Sequence, residues 1–106
     1  MIAPTPTINN AQRDGIRALR FAAYDLAARI ERDLKGTRWT NEHPSPLQAL
    51  MRAGVPIYGL VERSDLNGMI AWADREREQS KDEHLPALRR LLDDATALLR
   101  WVDGAP

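Results

Sequence analysis

The side chains in this chain that could do chemistry are few and scattered. Its two histidines are His43 and His84. A zinc site needs several nitrogen, sulfur or carboxylate donors converging on one point. His84 follows Asp82 and Glu83, but neither neighbour stands at the i, i+4 spacing that aims two side chains of one helix at a shared ion. A polar loop or helix terminus is therefore expected there, with no metal site and no cofactor. Cysteine is absent, which removes disulfides, thiolate nucleophiles and thiolate metal ligands. Among the serines, Ser45, Ser64 and Ser80 all lie outside a Gly-x-Ser-x-Gly elbow, and the first two read as helix caps. Asp93 and Asp94 are adjacent, so on a helix they point about 100° apart and do not share a proton or a substrate. Gly54, Gly59 and Gly68 are too widely spaced for a phosphate-cradling loop. The chain reads as non-enzymatic.

Charge points the same way. Fifteen basic and fifteen acidic residues give a formal net charge of zero, whereas a domain that grips phosphate backbones is usually basic. Arg13, Arg17 and Arg20 follow one another at steps of four and three, which makes a basic strip along one helix face. The simplest reading of that strip is a solvated surface, and nucleic acid is not the expected partner. Residues 1–7 contain neither a basic n-region nor an apolar core, and no apolar run approaches the roughly 20 residues of a bilayer span. Neither secretion nor membrane insertion is expected, which leaves the cytoplasm as the default location.

The elements that must position these groups are helical. Ile16, Leu19, Ala23, Leu26, Ile30 and Leu34 recur at three- and four-residue steps, as do Leu85, Leu88, Leu92, Ala95, Leu99 and Val102; each set occupies one face of a helix. The first helix is expected from a cap at Asn9 or Asn10 to Lys35, with Gly36 as its stop. Ser45-Pro46-Leu47-Gln48 reads as a capping box with proline at the first helical position, opening a short helix that Gly54 closes. For residues 55–61 a helical turn is favoured over a buried strand. A third helix begins at Ser64 or Asn67 and carries Leu66, Met69, Ile70 and Ala73 on one face. The charged run beyond Asp74 is either its solvated extension or the bend into the last helix, which ends near Asp103. The expected fold is all-α: two long amphipathic helices with two shorter ones between them, forming one domain over residues 9–106 behind an extended arm, residues 1–8, that Pro4 and Pro6 keep out of helix.

A helix-turn-helix over residues 47–63, with Gly54 as the turn glycine, is the main alternative. It fits poorly. Leu50 stands where close helix crossing needs a small residue, Pro56 and Gly59 fall inside the second helix, and Arg63 takes the place of an apolar anchor.

Protein recognition fits better. Three tryptophans, Trp39, Trp72 and Trp101, are many for so short a chain, and tryptophan is enriched at binding hot spots. Trp72 and Trp101 adjoin helical seams and are expected in the core, whereas Trp39 stands in a polar loop. Leu47, Met51, Ile57 and Tyr58 belong to an apolar middle segment that two long helices cannot fully cover. Together with Trp39 they are the expected partner-binding residues. Leu85, Leu88, Leu92, Leu99 and Val102 form a core or dimer seam. Leu91, Leu98 and Trp101 widen that stripe beyond a two-stranded seam, which favours packing in the monomer plus an isologous homodimer.

In length, near-neutral charge, absence of cysteine, proline-bearing arm, long first helix and leucine-rich last helix, the chain resembles the small antiactivators of LuxR-type quorum-sensing regulators. The resemblance spans the whole chain but carries no diagnostic motif, so no binding residue transfers by position. It implies a dimeric helical protein that binds a transcription factor and blocks its dimerisation or promoter occupancy.

Overall fold

Why the chain turns where it does is visible at each helix end. The computed structural model describes residues 7–104; the arm expected over residues 1–8 lies outside the described residues for positions 1–6. The first helix, α1, runs Asn10–Asp33. Asn9 caps it: its Oδ1 accepts from the Gln12 backbone N–H at 2.8 Å, and the Gln12 side chain accepts from Asn9 N–H at 3.0 Å. This reciprocal pair satisfies donors that a helix start leaves orphaned. The helix ends two residues before Lys35, and Gly36 reverses the chain at φ +83°, a conformation that favours glycine.

Helix α2, Pro46–Arg52, begins on the expected box, with Ser45 Oγ accepting from Gln48 N–H at 3.2 Å. Gly54, at φ +92°, ends it. Helix α3 spans Arg63–Gln79, one residue shorter than α4, Leu85–Val102. Its start is fixed by Asp65, whose carboxylate accepts from Glu62 N–H at 3.2 Å. Its charged second half continues as a solvated extension of the helix. A short 3-10 turn, Asp82–His84, then leads into α4.

Contacts between ends set the topology. Gln12 Nε2, at the start of α1, donates to Trp101 O at the end of α4 at 3.2 Å. Arg63, at the start of α3, grips Asp103 beyond the end of α4 through two bonds of 2.5 and 2.8 Å. That pairing holds the Asp103 carboxyl below its ordinary range and raises the Arg63 guanidinium. Helix α4 is therefore antiparallel to both α1 and α3. Helix α2 packs against α1 and α3, and the buried Trp72 indole of α3 donates to Pro46 O at 3.1 Å.

The structure is all-helical among the described residues, with a single apolar core built from α1, α2, α3, α4 and the loop residues Val55 and Val61. Ile16, Ala23, Leu26 and Ile30 are buried as their spacing predicts. On α4 the most deeply buried line is Leu88, Leu91, Ala95 and Val102, while Leu85, Leu92 and Leu99 are only partly covered. Trp72 is in the core. Trp101 is not: it is 49% exposed, because Val102, one residue on and 100° around the helix, takes the inward place.

Residues 55–61 do not form the expected helical turn. Pro56 and Gly59, at φ +104°, oppose helix from both sides of the segment. The same ten-residue gap between α2 and α3, residues 53–62, leaves the helix-turn-helix alternative without its second helix.

Candidate functional site

The loop between α2 and α3 is held by polar groups beneath it. Arg20 sits in the apolar stripe of α1, one turn from Ile16, and is 6% exposed. Its guanidinium pairs with Asp65 at 3.0 Å and donates to the carbonyls of Leu60 at 3.2 Å, Gly59 at 3.3 Å and Ile57 at 3.4 Å. Five fixed donors on a planar fork suit one side chain to several acceptors at once. Asp65, 2% exposed, has an oxygen on Arg20 and on the Glu62 N–H. One turn beyond Arg20, the Tyr24 hydroxyl donates to Val55 O; burial pushes that hydroxyl above its ordinary pKa, against the opposing pull of Arg20. Gly68 of α3 completes the base. A Cβ there would stand 2.5 Å from Ala53 O and 2.7 Å from Val55 Cγ2, so only glycine lets α3 approach this closely.

With the carbonyls of Ile57, Gly59 and Leu60 turned inward, the side chains in the middle of the loop turn out, while Val55 and Val61 at its ends stay in the core. Tyr58 is 84% exposed and Leu60 83%, while Ile57 and Met51 are about half exposed. Of the five expected partner-binding residues, Met51, Ile57 and Tyr58 thus lie on the surface. Leu47 instead packs partly against the core, its N–H donating to Glu31 Oε1 at 3.5 Å. Trp39 folds back over the far end of the bundle, where it lines a cavity with Ile30, Leu34 and Pro44. Asp33, also on that cavity, is thirteen residues along α1 from Arg20, or roughly 20 Å at helical rise. Trp39 therefore does not join the loop's surface. Phe21, 64% exposed and next in sequence to Arg20, is a further apolar side chain on the surface that periodicity did not single out.

The basic strip loses Arg20 to the interior, leaving Arg17 paired with Asp14 at 3.2 Å and Arg13. A signal for this was present: Ile16, Arg20, Ala23, Ala27 and Ile30 keep one unbroken 4-3-4-3 rhythm, so Arg20 stood on the buried face.

The same rhythm hid a second polar residue. Asp65, Met69, Trp72 and Glu76 recur at four, three and four residues along α3, and all four are buried. Burial raises the Glu76 carboxyl above its ordinary pKa, opposed by the charge of Arg75. Glu76 faces the cavity lined by Trp39, together with Asp33, Ser80 and His84. Asp33, brought in from α1, is the third group that neither Asp82 nor any local spacing supplied: its carboxylate lies 2.7 Å from His84 Nε2, and Glu83 lies 3.9 Å from it.

No described helix is long and apolar enough to cross a membrane. Compared with family models, curated proteins and solved structures, the chain matches none.

Proposed function

We propose that the protein is a non-enzymatic regulator, working in the cytoplasm, that binds another protein through the loop at residues 57–60. The supporting observation is the outward display of Tyr58 and Leu60 on a backbone held by the buried Arg20. Covering a large apolar side chain gains roughly 1.5–3 kcal/mol relative to leaving it in water, a gain this fold forgoes twice within three residues. Because the loop is already ordered, a partner that covers it avoids much of the entropic cost of fixing it. The chemistry sought is an apolar protein surface with room for one aromatic ring. Following the resemblance to LuxR-type antiactivators, the partner is a transcription regulator, and the loop occupies the face that regulator needs for its own dimerisation or assembly. Homodimerisation is part of the same proposal. Leu85, Leu92 and Leu99 keep part of their surface outside the monomer core, and a second copy would cover them.

The test compares native lysate captured by the tagged wild-type chain and by a Tyr58→Ala/Leu60→Ala variant, after nuclease treatment and a moderate-salt wash. Wild type recovers one transcription regulator in stoichiometric amount and the variant does not; mixing the purified pair then lowers the regulator's dimer mass in light scattering. Equal recovery by the variant overturns the loop's role. Recovery that vanishes on nuclease treatment shifts the reading to DNA binding.

A further inference from the structure

At the end of the bundle where α1 and α3 stop and α4 begins, a cavity of about 110 Å³ has Asp33, Glu76, Ser80, Lys81 and His84 among its lining. Its polar lining is unlike that of a finished interior, in which buried polar groups find partners. Glu76 is 8% exposed and faces this space. Ser80 Oγ and His84 Nε2 are both shut off from solvent without a hydrogen-bond partner.

His84 is the informative case. Asp33 Oδ2 lies only 2.7 Å from its Nε2, yet the two make no hydrogen bond. An N–O pair at that distance fails only when misaligned, so the axis of the ring nitrogen's lone pair is not filled by Asp33. Donor atoms of Asp33, Glu83 and His84 nevertheless all lie within 4.8 Å of one another.

We infer that Asp33, Glu83 and His84 bind a divalent transition-metal ion of the zinc type, with Glu76 accepting a hydrogen bond from a water that completes its coordination. Two donors on a tetrahedral zinc, with bonds of about 2.0–2.2 Å, stand roughly 3.4 Å apart. The separations of 2.7 and 3.9 Å from His84 Nε2 straddle that value. Small shifts of two side chains bring them to it, and both have freedom to move, Asp33 being 43% and Glu83 62% exposed. One imidazole with carboxylates suits zinc and its first-row neighbours, whereas magnesium and calcium prefer all-oxygen sets. Helices α1 and α3 present the negative C-terminal ends of their dipoles here, and α4, with His84 as its N-cap, presents its positive N-terminal end. The ion would tie the end of α1 to the connection between α3 and α4.

The experiment is a titration of the chelator-stripped full chain with zinc chloride, followed by calorimetry and by long-range ¹H–¹⁵N spectra of the imidazoles. A His43→Ala background, altered only in an exposed loop residue, leaves His84 as the sole imidazole. One ion binds per chain with micromolar or tighter Kd, the His84 Nε2 resonance shifts, and magnesium at the same concentration does neither. Asp33→Asn weakens binding at least tenfold. Saturation with a hundredfold excess of ion over Kd raises the melting temperature by on the order of 10 °C. Absence of saturable binding up to 100-fold molar excess, or binding that leaves the His84 ring unshifted, overturns the assignment. Binding unchanged by Asp33→Asn overturns it as well.

Discussion

Two regions of this small bundle handle buried polarity in opposite ways. Beneath the loop of residues 55–61, the polar side chains are satisfied: Arg20 bonds Asp65 and the carbonyls of Ile57, Gly59 and Leu60, and Tyr24 bonds the carbonyl of Val55. What that arrangement leaves facing solvent is apolar. At the opposite end the lining of the cavity is incomplete: Ser80 Oγ and His84 Nε2 are buried without a hydrogen-bond partner among the described residues, and Glu76 faces the same space. A satisfied network rigidifies whatever it holds, while an unsatisfied one marks a place for something else. The first region is suited to presenting a surface, the second to accepting a ligand.

The comparison breaks most sharply at Arg20. Arg20→Met strands Asp65 as a buried unpaired carboxylate and frees three loop carbonyls, so urea denaturation should show a loss of about 3–5 kcal/mol. Combining it with Asp65→Leu removes the stranded charge and should recover a large part of that loss. A single Arg20→Met variant as stable as wild type would falsify the view that this pair holds the loop. Next in size is Gly68→Ala. Its methyl group collides with Ala53 O and Val55 Cγ2, and overpacking of this kind costs about 1–3 kcal/mol, read from the same denaturation curves.

The cavity end behaves in the reverse sense. In metal-free protein, Glu76→Gln removes a poorly solvated charge and should stabilise the fold at neutral pH by on the order of 1 kcal/mol. The sign follows from the raised carboxyl pKa: the folded state binds its proton more tightly than the unfolded chain does. The stability this supplies is fully present below the unfolded pKa and is lost as pH rises through the higher folded value. Thermal melts of wild type and variant across that window should therefore diverge as pH rises. The smallest effect on stability belongs to the loop's outer face, where Tyr58→Ala and Leu60→Ala should each change it by less than about 0.5 kcal/mol. A large loss there would mean these side chains serve the fold rather than a partner.

Much of the fold was legible because helix signals are local. Ser45, Pro46 and Gln48 announced the start of α2 to the residue, the pair Asn9 and Asn10 announced α1 to within one, and the apolar rhythm of α1 named its buried face. Trp101 and the segment 55–61 were misplaced for reasons of context. A heptad stripe wider than the available partner leaves one member outside, and here Val102 displaced Trp101. An apolar run containing Pro56 and Gly59 takes whatever shape its anchors impose. The candidate site was legible in part: Met51, Ile57 and Tyr58 are on the surface, but Leu47 packs inward and Trp39 belongs to the other end. Arg20 and Glu76 stood in register with apolar neighbours, yet register alone does not say that a charged side chain is buried, since long side chains on such faces commonly reach back to water.

The sequence by itself determined where α2 begins, where the long helices lie to within a few residues, which faces are apolar, and that the chain has no thiol chemistry. These depend on residues within a turn or two of each other, through capping, backbone preference and periodicity. Only the tertiary structure decided that Arg20 meets Asp65 and three carbonyls across forty residues, and that Asp33 meets His84 at the bundle's end. Those meetings depend on how the helices cross, and crossing is set by the summed packing of the whole core, which no local window of sequence contains.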